Sequence, residues 1–235
     1  MTDRIPVDDA TPSSAQAGVE ALRDVAALFY QFGWSRGTSS NYSIVLGREP
    51  FRLLLTASGK DKRRLKPTDF VVVDDAGKPV APTEERPSAE TGLHLVLAAQ
   101  PQVGSVLHTH SVWGTLLSDY YASAGGFYIE GYEMLKGLTG VRSHEHREWV
   151  PNFENAQDIP ALAREVGKLL ADPVYIPTYA FLIRGHGLYT WGRDVDQARQ
   201  HVEILEFLFE VVARRLMLED APVLSPFPRS KGGEG

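Results

Sequence analysis

An apolar run, Val103-Gly104-Ser105-Val106-Leu107, ends in His108-Thr109-His110, and this segment constrains the fold more than any other in the chain. The run reads as a buried strand, in which residues i and i+2 point to the same side. Two imidazoles then share one face at the end of a buried strand, where they can grip one metal ion. A fold that uses them so must bring a third ligand from a distant part of the chain. Arg184-Gly185-His186-Gly187 offers one, between two further strand-like runs at 180–183 and 188–191. Three histidines with one coordination position open describe a catalytic rather than a structural zinc site. The same spacing also fits two packed or solvated histidines, so the choice falls to the rest of the chain.

The chain contains no cysteine, which excludes disulfides and thiolate ligands. A transition metal must therefore be held by histidine and carboxylate. A formal net charge of −6 argues against nucleic acid as a partner. No apolar stretch approaches the ~20 residues needed to span a bilayer, so no membrane partner is expected. Residues 1–12 are polar and acidic and lack a basic-then-apolar leader pattern, and a cytoplasmic location is expected. The length of 235 residues suits one α/β domain over 1–235, with 1–12 and 222–235 as flexible tails.

From Ser14, residues Val19, Leu22, Ala26 and Phe29 fall at helical spacing up to Gly33. Strands are expected at 42–46, 51–56 and 70–73, with hairpin-like turns between them. A proline- and glutamate-rich connection (79–87) leads to Ser88, a candidate N-cap for a helix running to about Ala99. A short helix from Ser111, a strand at 126–130 and a helix over 156–170 follow. The last helix opens at Asp194, with Gln197 three residues on in the manner of a capping box. Strands joined by short turns and flanked by helices predict an α/β fold: a largely antiparallel sheet with helices on its faces.

Three segments suit an anion. Thr38-Ser39-Ser40-Asn41 and Thr56-Ala57-Ser58-Gly59-Lys60 combine small side chains with hydroxyl, amide or ammonium donors, and Gly59 permits an unusual backbone angle. Ser88 at a helix start is the third. Taken alone, each is better read as a plain turn or cap; the three together in one chain with an H-x-H pair are less easily dismissed. Glu90 lies just after Ser88, and its alternative is a surface glutamate complementing the helix dipole. His94 shares its helix face and is given no chemical role. Glu133, in Glu133-Met134-Leu135-Lys136-Gly137, is a candidate general base, with an amphipathic turn as the alternative. His144-Glu145-His146 repeats the H-x-H spacing in a polar run and reads as a solvated loop.

In this order the pieces resemble the class II (zinc) aldolase family. Its pattern is matched by 37–41, 56–59, Ser88-Ala89-Glu90, His108-Thr109-His110 and His186, over about residues 15–215. The resemblance implies an α/β/α sandwich around a mainly antiparallel sheet, and a homotetramer with active sites at subunit contacts. It implies one Zn2+ per subunit on His108, His110 and His186, and a small-molecule sugar phosphate held by Ser40, Asn41, Ser58, Gly59 and Ser88. His108 to Ser111, Glu133 to Gly137 and His186 to Gly192 resemble the dehydratase branch. The activity then implied is loss of water from a five-carbon ketose 1-phosphate carrying a methylthio group on carbon 5. In that branch Glu133 is the expected acid/base; in the aldolases Glu90 takes the role. Two alternatives share the scaffold: a sugar-phosphate aldolase or epimerase, and a metal-free adducin-like binding module.

Overall fold

The computed structural model describes residues 12–174 and 179–219, so most of the expected tails fall outside the described residues. The chain runs α1 (Pro12–Gln31), β1 (Asn41–Arg48), β2 (Phe51–Thr56), β3 (Phe70–Val73), α2 (Thr91–Ala98) and β4 (Ser105–Thr109). It continues through α3 (Val112–Tyr120), β5 (Gly126–Ile129), β6 (Glu148–Phe153), α4 (Ile159–Ala171), β7 (Ala180–Ile183), β8 (Gly187–Gly192) and α5 (Val195–Glu219). The strands form one eight-stranded sheet in the order β3-β2-β1-β4-β8-β7-β6-β5. Every pairing is antiparallel except β6 with β7, as the sequence pattern predicts.

The pleat sorts the side chains onto two faces. On one, Tyr42, Leu54, Val72 and Leu107 meet Val19, Leu22 and Phe29 of α1 and Ala198 and Val202 of α5. Farther along the same face, Leu182 and Leu188 meet Leu117 of α3 and Leu205 and Phe209 of α5. On the other, Val106, Phe181, Tyr189 and Trp191 pack under Leu93 and Leu97 of α2 and Leu162 and Val166 of α4. The result is an α/β/α sandwich. Val106 and His108 therefore face α2, whereas Leu107 and Thr109 face α5. Among the described residues no helix is long and apolar enough to cross a membrane.

Several boundaries differ from the sequence reading. Helix α2 begins at Thr91, and Ser88 heads the turn before it: its Oγ accepts from the Glu90 N–H and its carbonyl from the Thr91 N–H. The expected N-cap role passes to Glu90, which makes no side-chain cap bond. Helix α4 starts later than expected because Asp158 caps it through Ala161 N–H, with Pro160 in its first turn. At α5, Asp194 accepts from Gln197 N–H as a capping box requires, but the Gln197 side chain reaches back to Arg193 N–H. Strand β6 is absent from the sequence reading.

Candidate metal centre

Strand β4 sets His108 and His110 on the α2 face, and Thr109 between them points the other way to donate to Glu206 of α5 at 2.9 Å. The third imidazole arrives through a turn whose glycines have separate jobs. Gly185 adopts φ +58, a left-handed angle suited to glycine. At Gly187 a Cβ would lie 2.0 Å from the Thr109 carbonyl oxygen, so only glycine lets β8 close against β4 here. His186, between them, is carried over the end of β4.

The Nε2 atoms of His108 and His110 are 2.8 Å apart, and those of His108 and His186 are 3.3 Å apart. One ligand atom from each of the three residues lies within 4.8 Å of the others. His108 Nδ1 lies 2.8 Å from the Leu188 carbonyl, which can only accept, so Nδ1 carries the proton and Nε2 presents a lone pair. Burial, reinforced by the neighbouring imidazoles, holds His108 well below the ordinary histidine range. Burial and then the charges of His186 and Lys62 bring His110 down to about 4. The three are nitrogen-donor side chains converging on one point, a set that fits a borderline-soft divalent cation. The cluster opens outward at His186, whose side chain is 20% exposed while that of His108 is sealed.

Glu90 lies against this cluster, its carboxylate 3.3 Å from His186 Nε2 and 3.6 Å from His108 Nε2. A directed chain of hydrogen bonds fixes it. Asn41 Nδ2 donates to Glu90 Oε2 at 2.6 Å. The other end of the Asn41 amide accepts from His94 Nε2, leaving His94 Nδ1 to accept from Ser43 Oγ at 2.7 Å. His94 is wholly enclosed, and burial pulls it to about 3, so it stays neutral. Tyr189 stacks on His108 with ring centroids 4.1 Å apart. Its hydroxyl is buried beside Glu90, and burial, then the Glu90 charge, raises its pKa well above the usual phenol value.

The predicted anion segments gather beside Glu90. Ser40, buried at φ +70, directly precedes Asn41. An Ala57–Pro87 bridge and a Ser58 N–H to Arg86 O bond set the exposed Ser58-Gly59 turn beside Ser88. Both ends of the Asn41 side chain are occupied by Glu90 and His94, so its contact with a ligand would run through the groups it positions. Glu133 stands apart. It lies in an exposed 3-10 turn, 71% exposed, paired with Lys136 at 2.6 Å and His144 at 3.3 Å. Lys136 holds it below the ordinary carboxylate range. No described contact joins it to the three imidazoles of its own chain. His146 pairs with the buried Glu148 at 2.7 Å rather than standing free in solvent.

Sequence reasoning assigned no role to His94, Tyr189, Lys62 or Glu206. The i, i+4 spacing of Glu90 and His94 was the available signal for the first. Glu206 sits behind the metal face in α5. Burial raises it to about 7, and one of its oxygens lacks a partner.

The sandwich and its histidine cluster define a class, and the chain belongs to it: the class II aldolase and adducin N-terminal domain family, whose model matches residues 20–213. Within that class, the chain is 46% identical over 199 residues to a methylthioribulose-1-phosphate dehydratase of Marinobacter nauticus, covering 84% of this chain and 91% of that one. It is 44% identical over 219 residues to another of that name from Stenotrophomonas maltophilia, covering 92% and 98%. The L-fuculose-1-phosphate aldolase of Thermus thermophilus shares the fold, with a TM-score of 0.68 at 21% identity over 88% of this chain and 100% of that one.

Proposed function

We propose that this chain dehydrates 5-methylthioribulose 1-phosphate to 2,3-diketo-5-methylthiopentyl 1-phosphate. The observation that carries the reading is the convergence of three imidazoles beside a held carboxylate, in a chain similar along nearly its whole length to dehydratases of that name. One Zn2+ per subunit is the proposed cation, on His108, His110 and His186. A bound zinc ion supplies Lewis acidity, which makes a hydrogen on carbon next to a ketone removable as a proton.

The protein's own groups do the rest. A carboxylate removes the proton from carbon 3, leaving an enediolate over carbons 2 and 3. The carbon 4 hydroxyl leaves with its electron pair and is protonated to water. The resulting enol tautomerises to the diketone. We assign the proton transfers to Glu133, which Lys136 keeps ionised. It is exposed in one chain, and in the proposed homotetramer it would act at the site of a neighbouring subunit. Exposed Val112, Leu116 and Tyr120, one face of α3, support such an assembly. Glu90, fixed by Asn41 beside His108 and His186, is the second candidate for the proton. Ser40, Ser58, Gly59 and Ser88 receive the phosphate.

The test is incubation of the zinc-loaded protein with methylthioribulose 1-phosphate. Diketone absorbance should rise with turnover. Absence of diketone, together with cleavage of fuculose or ribulose phosphate, would replace this reading with a sugar-phosphate aldolase.

A further inference from the structure

Lys62 is the least explained charge among the described residues. Its residue is 1% exposed, yet its ammonium makes one hydrogen bond, to the Lys60 carbonyl at 3.0 Å. An ammonium carries three donors, so two have no partner among the described residues although the side chain is almost enclosed. The nearby carboxylates are committed elsewhere. Asp69 pairs with Lys60 through one oxygen and accepts from Lys66 N–H through the other. Glu85 pairs with Lys60 at 2.6 Å. Asp61 caps a 3-10 turn through Arg63 N–H and lies near the Arg63 side chain. Among the described residues, no carboxylate comes within ion-pair distance of Lys62. Leaving a charge so poorly compensated in a protein interior is costly.

The position of this charge gives it a use. Lys62 follows the Ser58-Gly59 turn by three residues, and that turn is bridged to the Ser88 segment. Its charge is felt at His110. Lys60, the cation that the sequence pattern puts forward, is neutralised by two carboxylates and has no comparable freedom. We propose that Lys62 is the cation that receives the phosphate of a phosphomonoester ligand, completing with Ser58, Gly59 and Ser88 the pocket that orients the sugar toward the imidazoles. A dianionic phosphate offers acceptors for both unused N–H groups, as no group among the described residues does. Burial pulls Lys62 down to about 8, which still leaves it charged at neutral pH and ready for an anion. This inference rests on the sugar-phosphate reading of the site.

The test uses zinc-loaded wild type, Lys62→Gln, which keeps a donor for the Lys60 carbonyl without the charge, and Lys62→Arg, which keeps the charge. Calorimetry measures inorganic phosphate binding to each without turnover, and steady-state kinetics follow diketone formation. Lys62→Gln should weaken phosphate binding about tenfold or more and raise KM similarly, with a smaller change in kcat. Its Tm should hold or rise, because a buried charge is gone, whereas loss of a purely structural lysine would lower it. Lys62→Arg should recover part of the phosphate affinity. Phosphate affinity within twofold of wild type in Lys62→Gln, or no phosphate binding by wild type, overturns the proposal; should Lys62→Gln fail to fold, affinity in Lys62→Arg no better than one-hundredth of wild type also overturns it. Wild type that binds phosphate in a Lys62-dependent way but makes no diketone rejects the dehydratase reading and leaves Lys62 as the phosphate group's partner.

Discussion

Glu90 is held by Asn41 and by the turn that Ser88 begins, with its carboxylate lying beside two imidazoles. Glu133 is held only by an exposed lysine and an exposed histidine. A carboxylate gripped so firmly suits positioning, and one with a free approach suits proton transfer, provided that a second chain brings substrate to it. Exchanging each for glutamine keeps the shape and removes the charge, which separates the two roles. Glu133→Gln should retain zinc and lose roughly a hundredfold or more in kcat. Glu90→Gln should weaken zinc retention along with turnover, since it leaves His108 and His186 without their carboxylate neighbour. Metal content and kcat measured on the same preparations check both. An active Glu133→Gln beside a dead, zinc-replete Glu90→Gln would move the proton transfer to Glu90.

At the level of elements, the site depends on how closely β8 and β4 approach. Gly187→Ala places a methyl 2.0 Å from the Thr109 carbonyl, backbone that cannot yield without opening the β4–β8 ladder. It should destabilise the fold by about 3 kcal/mol, lowering Tm by roughly 6–12 °C for a chain of this size. Gly185→Ala, at a positive φ with open space around it, should cost less. Thermal melts of the two variants check the ranking. The same region shows what sequence makes legible. Strand β7 and the core of β8 stand where apolar runs put them, because buried strands must be apolar on both faces. Strand β6 is hidden by Pro151, which lacks an N–H, and by Glu148, which looks like a loop residue. Its ladder to β7 pairs Asn152 with Leu182 and Phe153 with Ile183, beyond that proline. Lys62 and His94 are hidden for a related reason: polar residue types read as surface, and only tertiary packing reveals them as interior.

For the whole molecule, the strand order makes one functional row out of distant sequence. Asn41 of β1 lies opposite His108 of β4, which lies opposite Tyr189 of β8. Helix α2 lays Glu90 and His94 over that row, and the β7–β8 turn adds His186. These parts span residues 41 to 189, so the centre can exist only in the folded chain, and burial keeps His108 and His110 neutral before any ion arrives. Activity should therefore follow one cation per chain. The direct measurement is to strip the protein with a chelator, return zinc in steps, and record diketone formation against zinc bound per chain. Turnover should be lost on stripping and return in proportion to zinc, levelling off at one ion per chain. Full turnover by the stripped protein, or recovery that does not track zinc bound at the three histidines, would contradict it.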